Sequence, residues 1–265
     1  MNVVSKIQHQ LFLVSKKLLH NSEVESFLFV AGMQRSGTNM LMELLECSFV
    51  TDVYHEWDER AFDNYQMRDR EVIDALVKRS GARIFTIKAL CELQDLPDLR
   101  AYYTPAKVLW IFRSYGDVVN SMMNSFNNMD KQIIRISDDP ESEAWLGKGM
   151  STETHDILKK HVSPDINLAN ASALQWYLRN ILFFEHGFDK DEKVLALSYD
   201  KLVRDPEIEI ARVFQFSGLH FTNRIARKIY AASIGKRPSP VLDEGVKALC
   251  ENLQQRIRLL ENINA

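Results

Sequence analysis

The ten residues Gly32-Met33-Gln34-Arg35-Ser36-Gly37-Thr38-Asn39-Met40-Leu41 hold the densest chemistry in the chain. They follow a short apolar run and open a helical pattern. In that setting, main-chain N–H groups and a helix N-terminus bind an anion. Gly37 lets the backbone approach an oxyanion closely. Arg35 supplies a charged planar fork suited to phosphate or sulfate oxygens. Ser36, Thr38 and Asn39 add side-chain donors. Gly32 and Gly37 have the spacing of the nucleotide-binding loop G-x-x-x-x-G-K-[ST]. The next two residues, however, are Thr38 and Asn39. The lysine that reaches phosphates is missing, and so is the usual magnesium-binding hydroxyl. A magnesium-dependent kinase or nucleotide hydrolase stays as an alternative weakened by both losses, and no metal is expected.

These residues need a scaffold, and the chain reads as one. Apolar runs at 27–32, 49–54, 83–87, 107–112 and 193–197 alternate with helical patterns at 38–47, about 72–79, 117–126 and 206–216. The runs are continuously apolar, as in parallel strands buried on both faces. Strand–helix–strand order predicts an α/β fold, a parallel β-sheet flanked by helices. The stretch 127–167 is polar and breaks the rhythm. It reads as an irregular acceptor-side lid or loop insertion, with disorder as the plain alternative. Residues 244–263 form an amphipathic helix through Val246, Leu249, Leu253, Ile257 and Leu260, read as packing.

Composition bounds the rest. The 265 residues, 46% hydrophobic and 26% charged, fit a single soluble domain spanning 1–265. Net charge is −3, so a bulk electrostatic nucleic-acid binder is excluded and any anion site must be built locally. Cys47, Cys91 and Cys250 lack metal-ligand spacing and read as reduced thiols of a cytoplasmic protein. Lys6, Lys16 and Lys17 interrupt the N-terminal apolar run, which makes a poor signal peptide. Val4, Ile7, Leu11, Val14 and Leu18 recur at helical spacing, predicting a helix within 1–24 that packs on the body. Its basic polar face also admits a weak membrane-surface contact.

The loop resembles that of the PAPS-dependent sulfotransferase family (PAPS is 3′-phosphoadenosine 5′-phosphosulfate). Its 5′-phosphosulfate signature, [KR]-S-G-T-[TN], is matched by Arg35-Ser36-Gly37-Thr38-Asn39. Arginine at the first position is similar to the tyrosylprotein and bacterial branches rather than the cytosolic small-molecule branch. The family's 3′-phosphate element is a strand ending in arginine, with a serine eight residues on. Here these are Arg113 and Ser121, with Asp117 between them in a helix-start role. A third segment, Tyr199-Asp200-Lys201-Leu202-Val203-Arg204-Asp205-Pro206, resembles the family's Y-[ED]-x-L-x-x-[DN]-P, which implies Tyr199 beside the adenine. The match runs in order over about residues 26–220. It implies a P-loop NTPase-like sulfotransferase fold and transfer of a sulfuryl group from PAPS to a hydroxyl, leaving the bisphosphate PAP.

Departures shape the site expectations. The cytosolic branch's histidine in K-T-H is absent, since this chain has Lys88-Ala89-Leu90. Lys88 stays as a candidate donor-site cation. In glutamate-using branches the base follows the second strand, where this chain has His55 and Glu56. Glu56 is the first candidate base, His55 the second, and Glu92 an outsider. The cytosolic branch ends with an R-K-G-type loop touching the 3′-phosphate, where this chain has Gly235-Lys236-Arg237 in altered order, so Arg237 or Lys236 is the candidate for that contact. Trp57, Phe62, Tyr65, Tyr102 and Tyr103 are candidates for an acceptor wall. The resemblance favours a carbohydrate or glycolipid acceptor. A non-catalytic sulfonucleotide-binding protein is the other alternative.

Overall fold

The computed structural model describes residues 22–222 and 237–263. The expected N-terminal helix, its membrane-surface face and Lys236 lie outside the described residues. Five strands form one parallel sheet in the order β2-β5-β1-β6-β7. They are β1 (Ser26–Ala31), β2 (Thr51–Tyr54), β5 (Ile84–Ala89), β6 (Ala106–Phe112) and β7 (Val194–Ser198). A small antiparallel hairpin, β3 (Phe62–Asp63) and β4 (Gln66–Met67), follows β2. The α/β expectation therefore holds. The second strand starts two residues later than its apolar run, because Thr51 Oγ1 is held by the Leu45 carbonyl as the chain turns off the preceding helix.

Helices cover both faces. On one lie α1 (Thr38–Glu46), α8 (Tyr199–Arg204) and α9 (Pro206–Ser217). Leu41, Leu45, Val213 and Phe214 pack there on Leu28, Val30, Leu109 and Ile111. The opposite face takes α4 (Tyr115–Ser125), α5 (Met129–Asp138), α7 (Leu168–Glu185) and α10 (Glu244–Ile263). There Phe29, Trp110 and Phe112 meet Val118, Met122 and Phe183. Alternate residues of β1 thus serve the two cores, which is the period of a strand buried on both sides. Helix α7 is buried nearly all round, as expected of a helix that lacks a polar stripe. Two further helices, α2 (Arg70–Arg79) and α3 (Leu96–Tyr102), connect strands on the β5 side.

The stretch 127–167 corrects the sequence reading. It holds α5 and α6 (Thr152–His161) rather than an irregular loop. Ile133 and Ile136 of α5 are buried, giving it an apolar side that its polar composition hides. The segment is also pinned to α7. Buried Arg179 donates to the carbonyls of Trp145 and Lys148, and Gln175 donates to that of Leu146.

Candidate active site

The register of the sheet assembles the site. The order of strand connection reverses at β1, which has β5 on one side and β6 on the other. Open parallel sheets bind ligands at the C-terminal edge of such a switch point. Residues 32–37 leave β1 there. Ala31 pairs with Trp110, so Gly32 lies beside Ile111. A Cβ on Gly32 would stand 2.5 Å from the Ile111 carbonyl oxygen, and only glycine fits at its φ of 140°. Gly37, at φ 98°, caps α1 and also carries a close approach. A Cβ there would meet the Tyr199 ring at 2.3 Å.

The loop is built to receive an anion. The first helical bond of α1 runs from the Leu41 N–H to the Gly37 carbonyl. The N–H groups of Thr38, Asn39 and Met40 precede it and have no acceptor within the helix. No acidic residue occupies the first turn to offset the positive helix end. Ser36 is fully buried, and its Oγ has no hydrogen-bond partner among the described residues. A buried hydroxyl without a partner is costly, and an oxyanion in the loop would satisfy it. Arg35 holds a left-handed backbone at φ 68°, a conformation kept by functional loops against its steric cost.

Strand ends bring the remaining groups. Phe112 pairs with Ser198, so Arg113 and Tyr199 follow side by side. The Arg113 guanidinium sits 4.6 Å above the Tyr199 ring. It also donates to the Arg35 carbonyl at 3.2 Å and faces Asp117 at 3.6 Å, one turn into α4. Trp176 of α7 holds the strand end by donating to the Arg113 carbonyl. Ser121, two turns along α4, accepts a hydrogen bond from Arg35 Nε at 2.8 Å. Asn120 donates to the Pro238 carbonyl, which lays the chain from Arg237 along α4. Arg237 is exposed beside that helix.

On the other side of β1, Tyr54 pairs with Ile87 and Val30 with Lys88. His55 and Glu56 therefore emerge next to Lys88. Lys88, almost wholly buried, contacts both the Glu56 carboxylate and the Asn39 side-chain oxygen. Burial pulls its ammonium down to about 7, and the nearby Cys91 opposes that fall. A lysine from the neighbouring strand β5 thus touches the loop through Asn39. His55 is buried, stacks on Trp57 at 4.3 Å and faces Glu46 at 3.8 Å. Its Nδ1 has no partner among the described residues.

Some expected residues lie elsewhere. Tyr103 stacks on Phe27 at 4.4 Å, at the start of β1 and so at the opposite end of the sheet from the loop. Its neighbour Tyr102 binds Asp74 there. Phe62 is buried in the core. Only Trp57 and Tyr65 of the proposed wall stand exposed on the loop side. The Arg113–Asp117 pair went unread in the sequence, although its i,i+4 spacing on a helix start was the available signal. The Trp176 and Asn120 contacts have no local signal.

An open parallel sheet with an anion-accepting loop at its switch point defines a P-loop-like α/β protein. The sulfotransferase domain family matches residues 25–238, and the chain belongs to it as an enzyme of sulfuryl transfer. Solved structures of similar fold include the sulfotransferase domain from the curacin biosynthetic pathway. It is 13% identical with a TM-score of 0.56, over 88% of this chain and 99% of that one. Sulfotransferase STF9 from Mycobacterium avium is 13% identical with a TM-score of 0.52, over 95% of this chain and 81% of that one. A sulfotransferase from Alicyclobacillus acidocaldarius is 15% identical with a TM-score of 0.51, over 90% and 96%. At such identities the likeness speaks to fold alone. None of the curated protein sequences matches this chain. Among the described residues no helix is long and apolar enough to cross a membrane.

Proposed function

We propose that the chain moves the sulfuryl group of PAPS to a hydroxyl of a carbohydrate or glycolipid acceptor. The observation that carries this reading is the hydrogen bond from Arg35 to Ser121. It joins the loop suited to a 5′-phosphosulfate to the helix suited to a 3′-phosphate. One donor bearing both groups would bridge the same two elements. Ser36, Thr38, Asn39 and the free N–H groups of α1 would hold the phosphosulfate. Arg113, Ser121 and Arg237 would meet the 3′-phosphate, with the Tyr199 ring packed beneath Arg113.

The acceptor oxygen attacks sulfur as the bond from sulfur to the phosphate oxygen breaks. The electron pair leaves with that oxygen, and PAP and a sulfate ester result. Arg35 and Lys88 offset the charge that gathers on the leaving phosphate and the sulfuryl oxygens. Glu56 takes the acceptor's proton as the base, with His55 second. The Glu56–Lys88 contact supports this assignment by placing base and cation together. Helices α5 and α6 shape the acceptor side, because their linker reaches Gln94 past the end of β5 through Gly149 and Arg179.

Thermal-shift titration with PAP, ATP and GTP, each with and without magnesium, tests the donor. Stabilisation by PAP without metal is expected. Stabilisation only by magnesium-ATP would instead indicate a kinase or hydrolase. PAP binding without transfer of labelled sulfate to any extract fraction would leave a non-catalytic binder.

A further inference from the structure

Two large aromatic rings stand in solvent on the side of the sheet edge that holds Glu56 and Lys88. Trp57 is 54% exposed and Tyr65 is 64% exposed. Neither belongs to a hydrophobic core. Both are nonetheless fixed in place.

Trp57 follows Glu56 directly, and one face of its indole is covered by the buried His55 ring, 19° from parallel. The turn at 55–58 then leads without a break into the hairpin, since Asp58 bonds back to His55 and Phe62 back to Asp58. At the hairpin tip Asn64 and Tyr65 have φ of 48° and 65°. Two positive values in a two-residue turn define the type I′ hairpin, whose second position suits glycine. A tyrosine there is strained and gains no burial. Such an outlier is a pointer to function.

The hairpin is also fastened to the exit of β5. Cys91 Sγ donates to the Tyr65 carbonyl at 3.4 Å, and Glu92 Oε1 accepts from the Met67 N–H at 2.7 Å. These residues lie three and four positions beyond Lys88. The hairpin is therefore tied to the strand that carries the Glu56 partner. Exposed Asp63, Asn64 and Gln66 surround Tyr65 with hydrogen-bonding groups.

We propose that Trp57 and Tyr65 form a two-ring platform that selects a pyranose acceptor, with Glu92 as the positioning residue that holds the hairpin. The proposal rests on the sulfuryl-transfer reading and deepens it. A pyranose offers a flat C–H face to an aromatic ring and a rim of hydroxyls to the polar groups around it.

The test is binding rather than turnover. The full chain, with and without PAP, is titrated with octyl pyranosides, octanol and 4-nitrophenol by calorimetry. Wild type is expected to favour the pyranosides over both comparators. Trp57→Ala and Tyr65→Gly are each expected to weaken pyranoside binding about tenfold or more, which is a loss of one ring contact on the usual affinity scale. PAP affinity should hold within about twofold on the same scale. Tyr65→Gly should also raise the thermal midpoint by about 2–4 °C as the turn relaxes, so lost binding cannot be blamed on misfolding. Glu92→Gln, which keeps an acceptor for Met67, should rescue what Glu92→Ala loses. Unchanged pyranoside affinity in both ring variants overturns the proposal, as does a wild type that prefers octanol or 4-nitrophenol. Absence of PAP binding would strike only the donor reading, because the pyranoside arm is measured without PAP as well.

Discussion

Ser121 accepts a hydrogen bond from the Arg35 side chain at 2.8 Å, across 86 residues of sequence. One residue comes from the loop after β1 and the other from the second turn of α4. The contact makes the resting position of the loop arginine depend on the neighbouring helix.

Ser121→Ala removes that acceptor and a proposed donor to the 3′-phosphate. A hydrogen bond to a charged group is worth about 1.5–3 kcal/mol. The expected result is a roughly tenfold or greater rise in the PAP dissociation constant, read by calorimetry, with little change in thermal midpoint. An unaltered constant would remove Ser121 from the donor site.

Gly37→Ala should damage both fold and binding. The new methyl would lie 2.3 Å from the Tyr199 ring, on a backbone at φ 98°. Left-handed backbone alone costs a β-carbon-bearing residue about 1–2 kcal/mol. Chemical unfolding should show at least that loss. Adding Tyr199→Ala removes the clash but not the backbone cost, so the double variant should be less unstable than additivity requires. Strict additivity would mean that the ring and the glycine are not packed together.

Glu56→Gln should lower turnover by about 100-fold or more, the usual contribution of a general base, while PAP binds as before. His55→Ala should cost stability through the lost Trp57 stacking and leave turnover within about tenfold of wild type on that scale. The reverse pattern would make His55 the base.

Glu92 gives a pH dependence with a definite sign. Burial raises its carboxyl from 4.5 to about 7, with Asp95 adding to the rise and Arg179 opposing it. Oε2 is buried without a partner among the described residues. The folded state therefore holds this proton more tightly than the unfolded chain does. Its contribution to stability is complete below pH 4.5 and is lost as pH rises through about 7. The loss is on the order of 3 kcal/mol at most. Glu92→Gln should match wild type below pH 4.5 and exceed it above pH 7 by up to that amount, measured by urea unfolding across the range. Parallel pH profiles would show that another group titrates.

What the sequence disclosed follows from how local each signal is. The five strands were legible because continuous apolar runs have few other uses. Arg35 to Asn39, Arg113 and Ser121 could be singled out because each sits at a fixed offset from a strand end, and the fold brings Arg113 and Ser121 onto Arg35. Helix α5 was missed because Ile133 and Ile136 lie among charged residues and its apolar side is narrow. Tyr102 and Tyr103 were misplaced because composition does not say which end of a sheet a connection occupies. The contact of Lys88 with Asn39 and Glu56 depends on the pairing of three strands, which no single segment encodes.

That pairing has a consequence for inheritance. Strand β1 divides the edge into two territories. Most groups proposed for the donor come from the β1 loop, β6, β7 and α4, with Lys88 joining them from β5 and Arg237 from beside α4. Those proposed for the acceptor come from β2, the hairpin and the exit of β5. The Asn39–Lys88 contact spans the boundary. On the proposed assignment, changes to the hairpin would alter what is sulfated without retuning the grip on the donor. On that assignment, a lineage that exchanges the turn and hairpin after β2 would keep the donor groups, so new acceptors would arise by replacing about a dozen contiguous residues, on the order of a single long loop.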